Sequence, residues 1–150
     1  MTEWKPKEYY TVLIDGIPVR KLAAYLCETL GMCEKTCVRS HFYTDTDGDF
    51  VYSDSMDLDA YFSERRGATV HLKTIRFDRE YRDGTCVIYA DGLRASVECD
   101  IEEKNIDLKR LPELQAWLTE QVYSGIAEFV SISYTFDNQP VFEFGKGGSL

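Results

Sequence analysis

Residues 69–100 constrain the fold more than any other part of the chain. They read TVHLKTIRFDREY, an arginine, Asp83-Gly84, TCVIYA, Asp91-Gly92 and LRASVECD. Alternating apolar residues are typical of strands with one buried face, and Asp-Gly is a strong signal for a tight hairpin turn. The pattern therefore predicts three consecutive antiparallel strands joined by two Asp-Gly turns.

Two-residue turns at both Asp-Gly pairs assign the side chains of these strands to two faces. The face predicted to be buried carries Ile75, Phe77, Tyr81, Cys86, Ile88, Ala90, Leu93, Ala95, Val97 and Cys99. The opposite face carries Arg76, Asp78, Glu80, Val87, Tyr89, Arg94 and Glu98. Arg79 is a charged exception on the apolar face, so we expect it near an edge.

Apolar residues with helical spacing predict two main helices, over residues 18–31 and about 108–123. A short helix is expected within residues 57–67, with Arg65 and Arg66 in its last turn. Further strands are predicted over residues 9–14, 36–44 and 49–54 and in the segments EFVSISYTF and VFEF. We expect an α+β fold: a mainly antiparallel sheet of about five to seven strands, with both main helices on one face.

At 150 residues, of which 44% are hydrophobic, the chain is long enough for one sizeable core. We expect a single globular domain over residues 1–145 and a flexible tail over residues 146–150. The first twenty residues lack the apolar stretch of a signal peptide, and no run reaches the roughly 20 apolar residues of a membrane helix. We therefore expect a cytoplasmic protein without membrane contact and with its five cysteines reduced.

The net charge is −9, from 26 acidic and 17 basic residues. A protein that binds nucleic acid directly must bring lysine and arginine to the phosphates, so this balance argues against DNA or RNA as a direct partner. Between residues 40 and 64 the chain has seven acidic residues and no lysine or arginine. This stretch, which we call the acidic segment, holds most of the excess negative charge.

The acidic segment partly matches a calcium-binding loop. Asp45, Asp47 and Asp49 have the spacing of the first three ligands of an EF-hand. Phe50 and Met56 stand where that loop requires a glycine and a bidentate glutamate. The apolar residues that alternate after Gly48 fit a returning strand better, so we expect no calcium site.

A zinc site is the second metal hypothesis, with Cys27, Cys33, Cys37 and His41 as its ligands. Their spacing, C-x5-C-x3-C-x3-H, differs from the close cysteine pairs usual in structural zinc sites. Reduced cysteines that act as small apolar side chains explain the pattern more simply. The sequence predicts no bound metal and no cofactor.

Catalytic signatures are also missing from the sequence. Cys37 and His41, four residues apart on a predicted strand, would be separated by about 13 Å, too far for proton transfer. The chain has none of the motifs of serine hydrolases, P-loop proteins, zinc peptidases or dinucleotide-binding enzymes. We expect a protein that is not an enzyme.

The acidic segment also carries aromatic residues, which can anchor a protein partner. On a strand, alternate carboxylates lie about 7 Å apart on one face, a spacing on the scale of a nucleic-acid backbone. The hypothesis is that these carboxylates imitate phosphates and bind a basic protein, such as a nuclease. The predicted partner-binding residues are Asp45, Asp47, Asp49, Phe50, Tyr52, Asp54, Asp57, Asp59 and Tyr61.

In size, charge and lack of a catalytic motif, the chain is similar to a broad group of small acidic inhibitors. The group includes immunity proteins against nuclease toxins and phage-encoded inhibitors of nucleic-acid-guided defence. This likeness implies a non-enzymatic protein that neutralises a basic, nucleic-acid-binding partner. The simplest alternative is a solvated acidic turn whose aromatic rings all point inward.

Two further hypotheses stay open. The first is a small enzyme or ligand-binding domain, with a pocket between sheet and helices lined by Tyr89, Arg79, His71 and Trp117. A charge on the apolar face needs a carboxylate or an anionic ligand, which is the main support for that pocket. The second is a structural subunit of a larger assembly that uses the aromatic edge VFEF.

Overall fold

The fold was obtained as a computed structural model, which describes residues 8–44, 48–50, 52–64, 66–135 and 139–145. The strands are β1 (Tyr9–Pro18), β2 (Cys37–Thr44), β3 (Gly48–Phe50), β4 (Arg66–Arg76), β5 (Glu80–Ala90), β6 (Arg94–Glu102), β7 (Phe129–Tyr134) and β8 (Gln139–Gly145). The helices are α1 (Val19–Ala24), α2 (Leu58–Phe62) and α3 (Leu111–Tyr123). A π-helical stretch over Tyr25–Thr29 extends α1, and a 3-10 turn over Leu108–Arg110 precedes α3.

Within the described ranges, the eight strands form one antiparallel sheet in the order β3-β2-β4-β5-β6-β1-β7-β8. The three strands predicted over residues 69–100 are β4, β5 and β6, which we call the meander; they lie side by side at the centre of the sheet, and β1 inserts between β6 and β7. The predicted α+β class and both main helices are confirmed. The predicted mainly antiparallel sheet is also confirmed, and every predicted strand segment pairs into it, including the short edge strand β3.

The helices cover one face of the sheet and form the core with it. Leu22 of α1 and Leu118 of α3 are fully buried, as are Ile14 and Ile88 of the central strands. Each such side chain removed from water contributes about 1.5–3 kcal/mol. The other face of the sheet, which we call the open face, carries the alternate residues of each strand. Among the described residues, no helix is long and apolar enough to cross a membrane.

Of the two Asp-Gly pairs in the meander, one forms the predicted turn. Asp91-Gly92 lies between β5 and β6, and the Asp91 amide donates to the Arg94 carbonyl at 3.0 Å. The other prediction was wrong: β4 and β5 are connected at residues 77–79, and Asp83 lies inside β5 with φ of 54°. Aspartate tolerates this left-handed conformation better than most residues, so the same dipeptide fits within a strand.

The predicted assignment of the meander side chains to two faces is correct even though this turn was misplaced. Arg82 and Asp83 are both exposed, so the alternation of β5 shifts by one residue there, as it would across a two-residue turn. The apolar residues on both sides of the shift are buried as predicted, with one exception. Leu93 is 82% exposed because it lies in the β5–β6 turn.

Three predicted boundaries also differ from the structure. β1 does not end before Asp15-Gly16 but continues through a bulge, where Gly16 has φ of +79°. α2 ends at Phe62, and Arg66 already belongs to β4. β3 ends at Phe50 and does not extend to residue 54. Arg65 and the tail predicted over residues 146–150 lie outside the described residues.

Candidate functional site

The structure describes the predicted hairpin of the acidic segment only in part. Asp45 and Asp47 lie outside the described residues, as do the side chains of Asp49 and Phe50. The backbone of Asp49 and Phe50 forms β3, where Phe50 is paired with Phe42 of β2. The hairpin between β2 and β3 is thus present at the edge of the sheet.

Asp54 and Asp57 are exposed carboxylates that bind the backbone of their own chain. Asp57 is the N-cap of α2 and accepts a hydrogen bond from the Ala60 amide at 3.0 Å. Asp54 accepts one from the Glu34 amide at 2.9 Å. A cap of this kind satisfies a backbone donor that would otherwise have no partner in the fold. Both aspartates therefore have a structural role, whether or not a partner also contacts them.

Asp59 is exposed in the first turn of α2. It lines an open cavity of about 570 Å³ together with Pro18, Val19, Arg20 and Leu93, among others. Carboxylates in the first turn of a helix are favoured by its dipole. Its exposure makes Asp59 the described carboxylate of the predicted set that is best placed to meet a partner.

The aromatic residues of the acidic segment whose side chains the structure describes, Phe42, Tyr52, Tyr61 and Phe62, belong to the core. Tyr52 is 8% exposed and Tyr61 is 6% exposed. The Tyr61 ring meets the Phe42 ring edge to face at 5.2 Å between centroids, and its hydroxyl donates to the Gly67 carbonyl at 2.6 Å. Tyr52 packs against Phe42 with centroids 6.1 Å apart. Rings this buried offer little surface to a partner, and their role as anchors stays a prediction.

The structure does not group the predicted zinc ligands, Cys27, Cys33, Cys37 and His41. No three His, Cys, Asp or Glu side chains of the described ranges come together as metal ligands would. Cys27 lies 3.8 Å from the Tyr52 hydroxyl, and burial raises the pKa of its thiol. Cys33 lies 3.6 Å from the Thr36 hydroxyl, a hydrogen bond that lowers the pKa of the Cys33 thiol. The sulfur contacts of both are with hydroxyl groups.

The pocket predicted around Tyr89, Arg79, His71 and Trp117 is not formed. Tyr89 and His71 lie on the open face, and His71 Nδ1 bonds the Thr85 hydroxyl at 2.9 Å. Arg79 lies at the β4–β5 connection and Trp117 lies in the helix layer. The Arg79 guanidinium forms ion pairs with two carboxylates of the same chain, Asp78 at 2.9 Å and Glu113. These pairs supply the carboxylate that a charge at this position needs.

A different surface, on the open face, carries apolar side chains that the core does not use. Val87 is 46% exposed and Tyr89 is 51% exposed, both on β5. β5 is the fourth of the eight strands that the structure describes, so these residues lie near the middle of the sheet. Glu98 of β6 is paired with Val87 and is also exposed. We call Val87, Tyr89 and Glu98 the open-face patch.

Sequence reasoning assigned the residues of the open-face patch to the correct face but did not select the patch as an interface, since Tyr89 was named only for the pocket between sheet and helices. The available signal was two apolar side chains among charged ones on a face predicted to be solvated. An exposed valine is common by itself. The central position of the pair in the sheet, which gives it significance, depends on the strand order.

Comparisons with known proteins bear on the fold. No family model matches the chain, and no curated protein matches its sequence. A solved structure with a similar fold is a chain of the complex described as the toxic C-terminal tip of CdiA from Pseudomonas aeruginosa with immune protein. The two chains share 14% identity with a TM-score of 0.70, over 97% of this chain and 99% of that chain. At this identity the likeness shows a shared fold.

Proposed function

We propose that this chain is an immunity-type protein that binds a toxin domain and neutralises it without catalysing a reaction. The observation that carries the proposal is the likeness, at a TM-score of 0.70, to a chain of a toxin and immune-protein complex over nearly the whole of both chains. Of the two roles in such a complex, the inhibitor's suits this chain better. Its sequence combines a net charge of −9 with none of the catalytic motifs considered above.

The proposed partner is basic and binds nucleic acid, as a nuclease toxin does. Opposite charge on the two proteins raises the rate of encounter and suppresses wrong partners. The acidic segment supplies this charge, with Asp45 and Asp47 between β2 and β3 in the sequence, Asp49 on β3 and Asp59 on α2. In this proposal the carboxylates occupy the phosphate positions of the toxin's groove.

Charge alone sets specificity and encounter rate more than residence time, so a lasting complex also needs apolar contact. The open-face patch offers that contact, since Tyr89 and Val87 are exposed beside the carboxylate of Glu98. Aromatic residues at the centre of a contact with a polar rim are typical of the residues that dominate binding energy. We therefore assign the patch as the second part of the proposed interface.

The partner to test first is a toxin domain encoded beside this gene in its host. Co-expression of the chain should restore the growth of cells that make the toxin domain. Titration of the two purified proteins should show an affinity that falls as salt is raised. Absence of both rescue and binding, for a toxin domain that is active alone, would overturn the proposal.

Phosphate mimicry is tested by position and not by charge alone. A triple variant, Asp45→Asn with Asp47→Asn and Asp49→Asn, should leave folding intact or slightly improve it and weaken binding roughly tenfold. The matched control is Glu80→Gln with Glu120→Gln and Glu143→Gln, which removes equal charge at exposed positions elsewhere. The control should weaken binding much less. Equal losses of affinity in the two triple variants would reject the β2–β3 hairpin as the contact.

A further inference from the structure

Cys86 of β5 and Cys99 of β6 face each other beneath the helices. They are directly paired in the register of the two strands, and both side chains are buried. Their Sγ atoms lie 2.7 Å apart. Non-bonded heavy atoms rest about 3.5–4.0 Å apart, so the two sulfurs are closer than ordinary contact allows.

We propose that Cys86 and Cys99 are the site of a cross-strand disulfide. Residues directly opposite in an antiparallel pair have Cα atoms about 4.5–5.5 Å apart, within the range of about 4.4–6.8 Å that a disulfide spans. The bond therefore requires no rearrangement of β5 or β6. This inference does not depend on the proposed function.

The remaining cysteines make the pairing specific. Cys27 and Cys33 each have a hydroxyl oxygen as the contact of their sulfur, and Cys37 Sγ donates to the Arg39 carbonyl at 3.4 Å. The described contacts thus pair one sulfur with another at Cys86 and Cys99. Cys33, which is partly exposed, serves as the matched control.

The oxidant is a small-molecule disulfide such as oxidised glutathione. One cysteine of the pair, as the thiolate, attacks this disulfide, forms a mixed disulfide and releases one glutathione thiolate. The thiolate of the second cysteine then attacks the mixed disulfide, forms the Cys86–Cys99 bond and releases the second glutathione. The protein loses two protons and two electrons, and the oxidant is reduced to two thiols.

Burial decides when this reaction occurs. Both thiols lie under the helix layer, where a dissolved disulfide has little access, and desolvation raises the pKa of Cys99, which disfavours the Cys99 thiolate in the folded chain. We expect oxidation to be slow in the folded protein and fast during refolding, before the helices cover the pair. The bond would join the two strands that carry the open-face patch, from behind it.

The test is oxidative refolding of the full chain with oxidised and reduced glutathione, followed by alkylation and digestion with trypsin without reduction. Cleavage after Arg82, Arg94 and Lys104 places Cys86 and Cys99 in separate peptides. The expected result is one disulfide-linked peptide pair and alkylation of three of the five cysteines. The midpoint of thermal unfolding should rise by roughly 5–10 °C relative to the reduced protein.

Variants complete the test. Cys33→Ala should still form the linked pair, whereas Cys86→Ala and Cys99→Ala should not form it. Should either core variant fail to fold, the peptide map of the wild-type chain decides by itself. A refolded wild-type chain with five alkylated cysteines, or with a disulfide mapped to any other pair, would overturn the proposal.

Discussion

Val87 and Ile88 are neighbours on β5, yet their side chains lie on opposite faces of the sheet. Both are β-branched residues that favour strands. Ile88 is fully buried under the helices, while Val87 is nearly half exposed on the open face. The comparison separates what the sheet uses for its own stability from what it leaves available to a partner. An apolar side chain therefore has no fixed role in this fold until its face is known.

The largest effect is expected from truncating each of these neighbours in turn. Ile88→Ala should lower the free energy of unfolding by about 2–5 kcal/mol, because it leaves a cavity in the core. Val87→Ala should change it by less than about 0.5 kcal/mol and, under the proposed function, should instead weaken binding of the toxin domain. Urea unfolding of both variants measures the difference. Comparable losses of stability would mean that the open face is covered in the free protein.

A smaller loss of stability should follow from changing the bulge in β1, which keeps side chains on both sides of it on the covered face of the sheet. The bulge at Gly16 lets Ile14 and Ile17 both reach the core. A Cβ at Gly16 would lie 2.7 Å from Glu128 Cβ, and the residue has φ of +79°. Gly16→Ala should therefore cost about 1–3 kcal/mol of unfolding free energy.

Gly92→Ala is the matched control for the bulge. Gly92 also has positive φ, +109°, but no atom lies within 4 Å of its added Cβ. The Gly92→Ala variant should lose less stability than Gly16→Ala, because it adds backbone strain without a steric clash. Equal losses in thermal unfolding would show that the close approach of Glu128 to β1 has no energetic weight.

The smallest expected effect is the difference in stability between variants of two carboxylates of the acidic segment, Asp57 and Asp59. Asp57→Ala removes the N-cap of α2 and should cost about 1 kcal/mol of unfolding free energy. Asp59→Asn should cost less than about 0.5 kcal/mol and, under the proposed function, lower the affinity for the toxin domain. Urea unfolding and titration are measured on the same samples. If Asp59→Asn destabilises the chain as much as Asp57→Ala, the segment serves the fold as a whole.

The three Asp-Gly pairs that the structure describes in full show where prediction from sequence ends. Asp91-Gly92 makes a turn, Asp15-Gly16 makes a bulge, and Asp83 takes positive φ inside β5. The dipeptide permits the same left-handed backbone in each case. Whether the dipeptide forms a turn, a bulge or part of a strand depends on the strand that pairs beside it. A local sequence pattern does not specify that neighbouring strand.

The candidate site divides in the same way. The sequence located the concentration of charge and the face to which Val87 and Tyr89 belong. The inward rings of Tyr52 and Tyr61, and the bond from the Glu34 amide to Asp54, follow from the packing of distant segments. Sequence reasoning found the carboxylates but had no means to tell that Asp54 binds the backbone of a distant segment.

The sequence by itself determined the α+β class, the two main helices and the inward or outward direction of the meander residues. These depend on periodicity, and the period of a strand or helix is a property of the local backbone. Only the tertiary structure decided that β1 lies between β6 and β7, that Cys86 meets Cys99, and that the open-face patch is central. Such contacts join residues far apart in the chain, and they are selected by burial of the whole core, which no short stretch specifies.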